Sequence, residues 1–461
     1  MLGKKAKKAK IVKKELKKDV SEQIKADKVI IMGASGRDWH NFLMYFKNNP
    51  CLKVVAFTAS QIPGIEKRVF PKELAGPYYT EDIPIYPEEK IIQLIKDLDV
   101  KHVYLCYSDL SFQEVMEKAS EVLAAGANFS FLGTRATTIK TNIPLISITA
   151  VRTGAGKSQT SRKVGLILKE LGYKVVAIRH PMPYGDLRTE VVQRFAKYDD
   201  LKKHQTTIEE REEYEPWIRI GIPVYAGVDY QKILERAEQE ADIIIWDGGN
   251  NDFSFYKPDL SIVVADPLRA GHERSYYPGL INLINADVVV INKVDHAKRK
   301  DVRHVIQNIR KFNLRAKIIK ANSIIKVENP DLVAGKSALL VEDGPTLTHG
   351  GMKFGAARIA ALTFKAKIVN AKEFAVGSIK ETFDKYPHLD MELPAMGYSK
   401  QQIKDLQDTI NRAKCDIVLD GSPVNLKKLI KTNKPIIDVT YELEEIGKPD
   451  LKMLLRKHFQ G

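Results

Sequence analysis

Short apolar runs alternate with amphipathic stretches along most of this chain, and the runs change character near residue 142. Between residues 26 and 141, the runs at 28–32, 52–58 and 103–107 have strand length, while 39–48, 88–98 and 112–125 repeat apolar residues at helical intervals. A last strand-like stretch spans 128–133. This order predicts a parallel sheet with helices on its faces, the Rossmann type. The turn after its first strand is Gly33-Ala34-Ser35-Gly36-Arg37-Asp38. Gly33-x-x-Gly36 is shorter than the dinucleotide pattern G-x-G-x-x-G, and Thr58-Ala59-Ser60 offers no acidic residue after the second strand. A phosphate contact or a purely structural turn is expected there, ahead of dinucleotide binding.

From residue 142 onward the runs are 145–149, 174–179, 242–247, 260–265, 287–291 and 317–321. Several are apolar throughout, as parallel strands buried on both faces are. They predict a second α/β domain over 142–330. Residues 331–461 open with a run at 337–342 and reach another at 436–440, forming either a C-terminal subdomain or an extension of the second sheet. Residues 1–25 are lysine-rich, with Ile11, Val12 and Leu16 at roughly helical spacing, and read as a short basic arm.

The strand at 145–149 runs into Val151-Arg152-Thr153-Gly154-Ala155-Gly156-Lys157-Ser158, and a helical pattern over 162–171 follows. This is the context of a phosphate-binding P-loop. Glycines let backbone N–H groups turn inward around a polyphosphate, and the helix N-terminus adds positive charge. Gly154, Ala155, Gly156, Lys157, Ser158 and Gln159 are the expected nucleotide contacts, with Lys157 on the β/γ-phosphates and Ser158 on Mg²⁺. Val151 stands where the motif has its first glycine. Arg152 stands where one branch of P-loop proteins places a second, signature lysine, which it resembles. The expected fold class is therefore α/β, a Rossmann-like domain followed by a P-loop NTPase domain of GTPase-like type with a C-terminal extension.

Three downstream strand ends carry matching chemistry. Asp247 closes the run Ile243-Ile244-Ile245-Trp246-Asp247, the place of a second Mg²⁺ partner. Asn292-Lys293-Val294-Asp295 matches the N-K-x-D pattern by which many GTPases hold guanine, and Ala321-Asn322-Ser323 stands where such folds complete a base pocket. Arg179-His180, Arg188, Arg219, Arg274 and the stretch Asp266-Pro267-Leu268-Arg269-Ala270-Gly271-His272 supply cations near strand ends. Arginine grips phosphate or carboxylate in bidentate fashion, and His and Lys add single donors. Together they suggest a second anionic ligand facing the γ-phosphate. Glu212, Glu213 and Glu215 read as a solvated helix face rather than a metal site. His349 and Lys353, in the glycine-rich loop after 337–342, are candidate phosphate contacts.

Composition narrows the partners. The chain has 461 residues and 44% hydrophobic content, enough for about two or three domains. No apolar run approaches the roughly 20 residues of a membrane helix, and the N-terminus lacks a signal-type apolar stretch, so a cytoplasmic protein is expected. Cys51, Cys106 and Cys415 lie far apart and read as reduced packing residues. Net charge is +15, and residues 1–18 hold nine lysines and one glutamate, so the arm carries about half of it. A basic body without a nucleic-acid motif suits a strongly anionic substrate. The arm itself reads as a solvated tail, a nucleic-acid contact or an electrostatic lid over the phosphates. High Lys, Ile and Glu content suits a thermophile. A homodimer is the default expectation.

Four stretches carry a resemblance to a known family: residues 33–42, 149–158, Ala177-Ile178-Arg179-His180-Pro181-Met182-Pro183-Tyr184-Gly185-Asp186-Leu187 and 266–273. With them the chain resembles the archaeal cyclic 2,3-diphosphoglycerate synthetases over essentially its whole length. The resemblance implies ATP-dependent closure of 2,3-diphosphoglycerate to its cyclic anhydride, with Mg²⁺ and release of ADP and phosphate. ATP would phosphorylate one substrate phosphate, and the neighbouring phosphate would attack and expel inorganic phosphate. Lys157, Arg152, Arg179, His180, Arg269 and His272 would then be catalytic. Arg179, His180, Arg188, Arg219, Arg269, His349 and Lys353 would hold substrate. The N-K-x-D pattern points to guanine while the resemblance implies ATP. A regulatory or metal-chaperone GTPase, served by Lys157, Asp247 and Asn292–Asp295, is the alternative reading.

Overall fold

The apolar runs at 28–32, 52–58 and 103–107 become strands β1 (Asp27–Met32), β2 (Leu52–Ala59) and β5 (His102–Leu105), and two strands that the pattern does not predict, β3 (Val69–Phe70) and β4 (Ile83–Pro87), stand between them. The computed structural model describes residues 26–34, 36–59, 68–180, 185–348, 353–396 and 399–460. The basic arm, Ser35, residues 181–184 and His349 lie outside them. The chain divides into two compact units. The first takes the chain up to Tyr107, Phe112–Thr138 and Gly185–Val191; the second takes Ser108–Ser111, Ile139–Tyr184 and Val192–Gly461. Strand β6 (Leu110–Ser111) thus belongs to the second unit and β7 (Asn128–Ser130) to the first.

Among the described residues the first unit forms a six-stranded sheet in the order β3-β4-β2-β1-β5-β7, parallel except for the β3–β4 pair. Trp39, Phe42, Phe46, Phe57 and Phe70 fill its core, with Phe42 packed edge-on against Phe57 and Phe70. The helix expected over 39–48 is an α-turn, Arg37–Asn41, that widens into a π-turn, Phe42–Phe46. After the Gly33-x-x-Gly36 stretch, one Asp38 carboxylate oxygen accepts from Gly36 N at 2.9 Å and from Trp39 N at 2.7 Å.

Among the described residues, fourteen strands of the second unit follow in chain order, apart from β6. They are β8 (Leu145–Ala150), β9 (Val175–Arg179), β10 (Gln193–Phe195), β11 (Val224–Ala226), β12 (Ile243–Asp247), β13 (Leu260–Ala265) and β14 (Tyr276–Tyr277). After these come β15 (Val288–Ile291), β16 (Lys317–Val327), β17 (Ser337–Asp343), β18 (Lys367–Val369), β19 (Leu393–Ala395), β20 (Ile417–Asp420) and β21 (Ile436–Ile446). Thirteen of them form one sheet, ordered β10-β11-β9-β12-β8-β13-β15-β16-β21-β20-β17-β18 with β19 on β17. Strands β16 and β21 pair antiparallel from Lys320↔Ile446 to Val327↔Val439, which joins the C-terminal strands to the P-loop sheet. That pairing is why both run past the ends that their apolar pattern predicts. The β8, β12, β13 and β15 strands are buried along almost their whole length, as their unbroken apolar runs require. Parallel register aligns the C-terminal ends of β8, β9, β12, β13 and β15, and the chemistry collects there. Among the described residues no helix is long and apolar enough to cross a membrane.

Candidate active site

Strand β8 hands the chain to the loop 151–156, and the helix Lys157–Glu170 begins at the lysine. Gly154 and Gly156 take φ of +78° and +107°, a region open to glycine and costly for residues with a Cβ. At Gly156 a Cβ would also fall 2.0 Å from Asn292 Nδ2, so the site demands glycine twice over. Three successive loop carbonyls are held from outside. Arg269 Nη2 donates to Thr153 O at 2.7 Å, Lys293 Nζ to Gly154 O at 2.6 Å, and Asn292 Nδ2 to Ala155 O at 3.1 Å. In planar trans peptides the following N–H points opposite to the carbonyl, so this bracing turns the Gly154 and Gly156 N–H groups the other way, as an anion-binding loop needs.

The N-K-x-D residues therefore do structural work on the P-loop. Lys293, at φ +57°, also meets Asp266 Oδ2 at 3.0 Å, and Arg269 shares that oxygen at 3.0 Å. Asp295 accepts from Ser323 N at 3.3 Å, and Ser323 Oγ accepts from Gln159 Nε2 at 3.0 Å. Gln159, Asp295 and Ser323 thus meet on one side of the helix start, where a base pocket is expected.

Asp247, 1% exposed, is the hub. Its Oδ1 accepts from Lys157 Nζ and Ser161 Oγ, both at 2.8 Å. Its Oδ2 faces Arg179 Nη1 at 2.8 Å and accepts from Trp217 Nε1 at 3.2 Å. Burial pushes the Asp247 carboxyl up, but Arg179, Lys157 and the bonds from Lys157 and Ser161 overcome this and hold it well below the usual range. The same burial, reinforced by Arg179, lowers Lys157 to about 8 against the pull of Asp247. Arg179 spans two carboxylates, Asp247 and Glu213. His180 Nε2 lies 3.1 Å from Asp252 Oδ2.

Arg152 lies across the Tyr276 ring at 3.8 Å and pairs with Asp109 Oδ1 at 3.1 Å. His272 stacks on the same tyrosine, 4.6 Å between centroids. Burial, then Arg152 and Arg269, pull its pKa down, which favours the neutral ring.

Of the expected cations, Lys157, Arg152, Arg179, Arg269 and Lys293 converge on the loop or its Asp247 partner, and His272 joins them through Tyr276. Arg188 belongs to the first unit, exposed and paired with Glu73, Asp82 and Asp186. Arg219, at the end of the helix Ile208–Arg219, and Lys353 are both exposed. His349 lies outside the described residues. The glutamates of that helix correct the solvated-face expectation: Glu212 and Glu215 are 8% and 1% exposed, and Glu213 pairs with Arg179. Glu215 accepts from Asn425 N at 2.8 Å and from Arg211 at 3.3 Å. Among the described residues no group of three or more His, Cys, Asp or Glu is placed to hold a metal. Residues missed by sequence reasoning are Asp109, Ser161, Trp217 and Tyr276. Only Ser161 had a signal, since it lies one helical turn after Lys157.

No family model matches the chain. It is 58% identical to arginine synthetase ArcE of Thermococcus kodakarensis over 434 residues, 94% of this chain and 97% of that protein. To the cyclic 2,3-diphosphoglycerate synthetase of Pyrococcus furiosus it is 25% identical over 201 residues, 39% of this chain and 46% of that protein. The expected resemblance to that second enzyme is thus confined to part of the chain. Among solved structures, LpxK of Aquifex aeolicus in complex with ATP aligns with a TM-score of 0.44 at 15% identity, covering 75% of this chain and 95% of that one. With a P-loop α/β scaffold and near full-length similarity at this level, the chain is a synthetase and belongs to the family of arginine synthetase ArcE.

Proposed function

We propose that this protein forms arginine at the expense of ATP, by phosphorylating an oxygen of its substrate and letting a nitrogen nucleophile displace the phosphate. The observation that carries the reading is the set of cations gathered on the carboxylate at the end of β12, Lys157 and Arg179 on Asp247, in a chain 58% identical to an arginine synthetase. Arginine differs from its ureido counterpart, citrulline, by a C=NH₂⁺ in place of a C=O. Oxygen leaves a ureido carbon poorly. Transfer of the γ-phosphoryl group breaks its bond to ADP and makes that oxygen part of a phosphate leaving group. Ammonia then attacks the carbon, the C–O bond breaks, phosphate departs, and the resulting guanidinium keeps the positive charge.

The residues suit the first step. Lys157 turns from Asp247 to the β/γ-phosphates, and Arg152 and Arg179 neutralise charge on the transferred group. Mg²⁺ fits the donor set, through the exposed Ser158 hydroxyl and the ionised Asp247. Asp247 has both oxygens engaged by protein donors, so it becomes available only once Lys157 has moved to phosphate. When bound, the ion neutralises the β- and γ-oxygens.

Cyclisation of 2,3-diphosphoglycerate is the second reading, favoured by the strand-end cations Arg179, His180, Arg269 and His272 and by the partial similarity to that synthetase. The enzyme incubated with ATP, Mg²⁺, ammonium and citrulline should yield arginine, ADP and phosphate. With 2,3-diphosphoglycerate as acceptor, phosphorus NMR should show no cyclic product. Cyclic product without arginine would transfer the assignment to the second reading, and GTP outperforming ATP would overturn the nucleotide choice. Lys157→Ala should abolish turnover of either nucleotide.

A further inference from the structure

The P-loop already holds an anion of its own. Asp109 Oδ1 accepts from the loop amide Thr153 N at 3.2 Å and lies 3.1 Å from Arg152 Nη1, which also donates to Asp109 O at 3.1 Å. Thr153 and Arg152 occupy consecutive loop positions. A carboxylate receiving a loop amide and a loop arginine has the chemistry of a phosphate oxygen at the same place.

Asp109 reaches the loop in a conformation that a residue with a Cβ seldom takes, φ +70°. It is held there by neighbours. Asp109 N donates to Tyr277 O at 2.9 Å, and Leu110 and Ser111 in β6 pair antiparallel with Tyr277 and Tyr276 in β14. Tyr277 O also accepts from Asn251 Nδ2, which reaches Val151 O at 3.1 Å, the first residue of the loop. The segment is therefore registered against the loop by backbone on one side and Asn251 on the other.

We propose that Asp109 is a positioning residue that stands in for a phosphate, occupying Arg152 and Thr153 N until a polyphosphate takes them and thereby releasing Arg152 to the transferred group. The proposal rests on a nucleotide being the P-loop ligand and is independent of which acceptor is phosphorylated. A carboxylate that merely stapled the loop to β14 would leave nucleotide binding weaker when removed. A competing carboxylate leaves it tighter.

Binding of a fluorescent ATP analogue to the full-length protein separates the two. Asp109→Asn keeps the shape and removes the charge, while Asp109→Gly suits the backbone angle and removes the side chain. Both should lower the dissociation constant by about twofold to fivefold, the size of one lost competing ion pair. In an Arg152→Ala background the gain from Asp109→Asn should shrink to the part that comes from Thr153 N. Weaker or unchanged binding in both single variants overturns the proposal. If the variants fail to fold, hydrogen exchange on the wild-type protein decides. ATP should increase exchange at residues 108–111 while slowing it at the P-loop, and protection of both segments with ATP bound would refute the displacement.

Discussion

Lys157 shows how burial converts a phosphate anchor into a pH-sensitive one. In the free protein its pKa is lowered to about 8, because burial and Arg179 together outweigh Asp247. A neutral amine is no partner for phosphate, so binding requires that proton to be present or taken up. The ATP dissociation constant should be flat below pH 8 and rise roughly tenfold per pH unit above it. Calorimetry between pH 6.5 and 9.5 reads this directly, and a flat profile to pH 9.5 would mean that Lys157 keeps its proton across that range. The sign for folding is opposite. Unfolded, the lysine returns to about 10.5 and binds a proton more tightly than the native form, so its cost to stability eases as pH climbs from 8 toward 10.5. The motif residues of this site were legible in the sequence, because Gly154, Gly156, Lys157 and Asp247 are needed at fixed spacings by phosphate chemistry. Asp109 and Tyr276 were not, since each meets the loop from a distant segment and no local pattern encodes that meeting.

Elements were legible where apolar runs were long. Strands β8, β12, β13 and β15 stand within a residue or so of their predicted bounds, whereas three-residue strands such as β10, β11 and β18 are too short to display a period. The helix Ile208–Arg219 departs from its expected exposure for a different reason. Its sequence, Ile-Glu-Glu-Arg-Glu-Glu-Tyr-Glu-Pro-Trp-Ile-Arg, looks solvated, yet Glu209, Glu210, Glu212 and Glu215 are all buried. Thr207 and Glu210 form a capping box at its start, while Arg179, Arg211 and Asn425 N answer Glu213 and Glu215. Partners supplied by other elements make an acidic helix a buried one. This helix also brings Trp217 to Asp247. Trp217→Phe keeps a ring against the P-loop helix but removes the N–H donor to a buried carboxylate. It should lower unfolding stability by about 1–3 kcal/mol in chemical denaturation. Unchanged stability would mean that Lys157, Arg179 and Ser161 alone satisfy Asp247.

Over the whole molecule, a chain of net charge +15 buries its acids at a second set of strand ends. Glu342 on β17 is 2% exposed and raised to about 8, and Asp420 on β20 is 2% exposed and raised to about 7. Burial is the main cause for both. Backbone N–H groups around Gly355 and Arg358 oppose it at Glu342, and Ser422 opposes it at Asp420. Glu212 is also raised, by burial and then by Asp343, Glu209 and Asp420. Each of these groups keeps its proton in the native state at a pH where the unfolded chain has lost it. The native state therefore binds more protons between about pH 4.5 and 8, and stability falls as pH rises through that window. The P-loop end behaves in the reverse sense, because the ionised Asp247 contributes stability that is lost only in strong acid. Glu342→Gln isolates the effect. Its amide oxygen can still accept from Gly355 N and Arg358 N, which meet Glu342 Oε1 at 3.1 Å at the start of the helix Ala356–Thr363. At pH 9 the variant should be more stable than the wild type by roughly 2–4 kcal/mol, and near pH 5 the two should agree within about 1 kcal/mol. Thermal unfolding at both pH values reads the difference, and equal stabilisation at pH 5 and pH 9 would mean that the gain does not come from the buried charge.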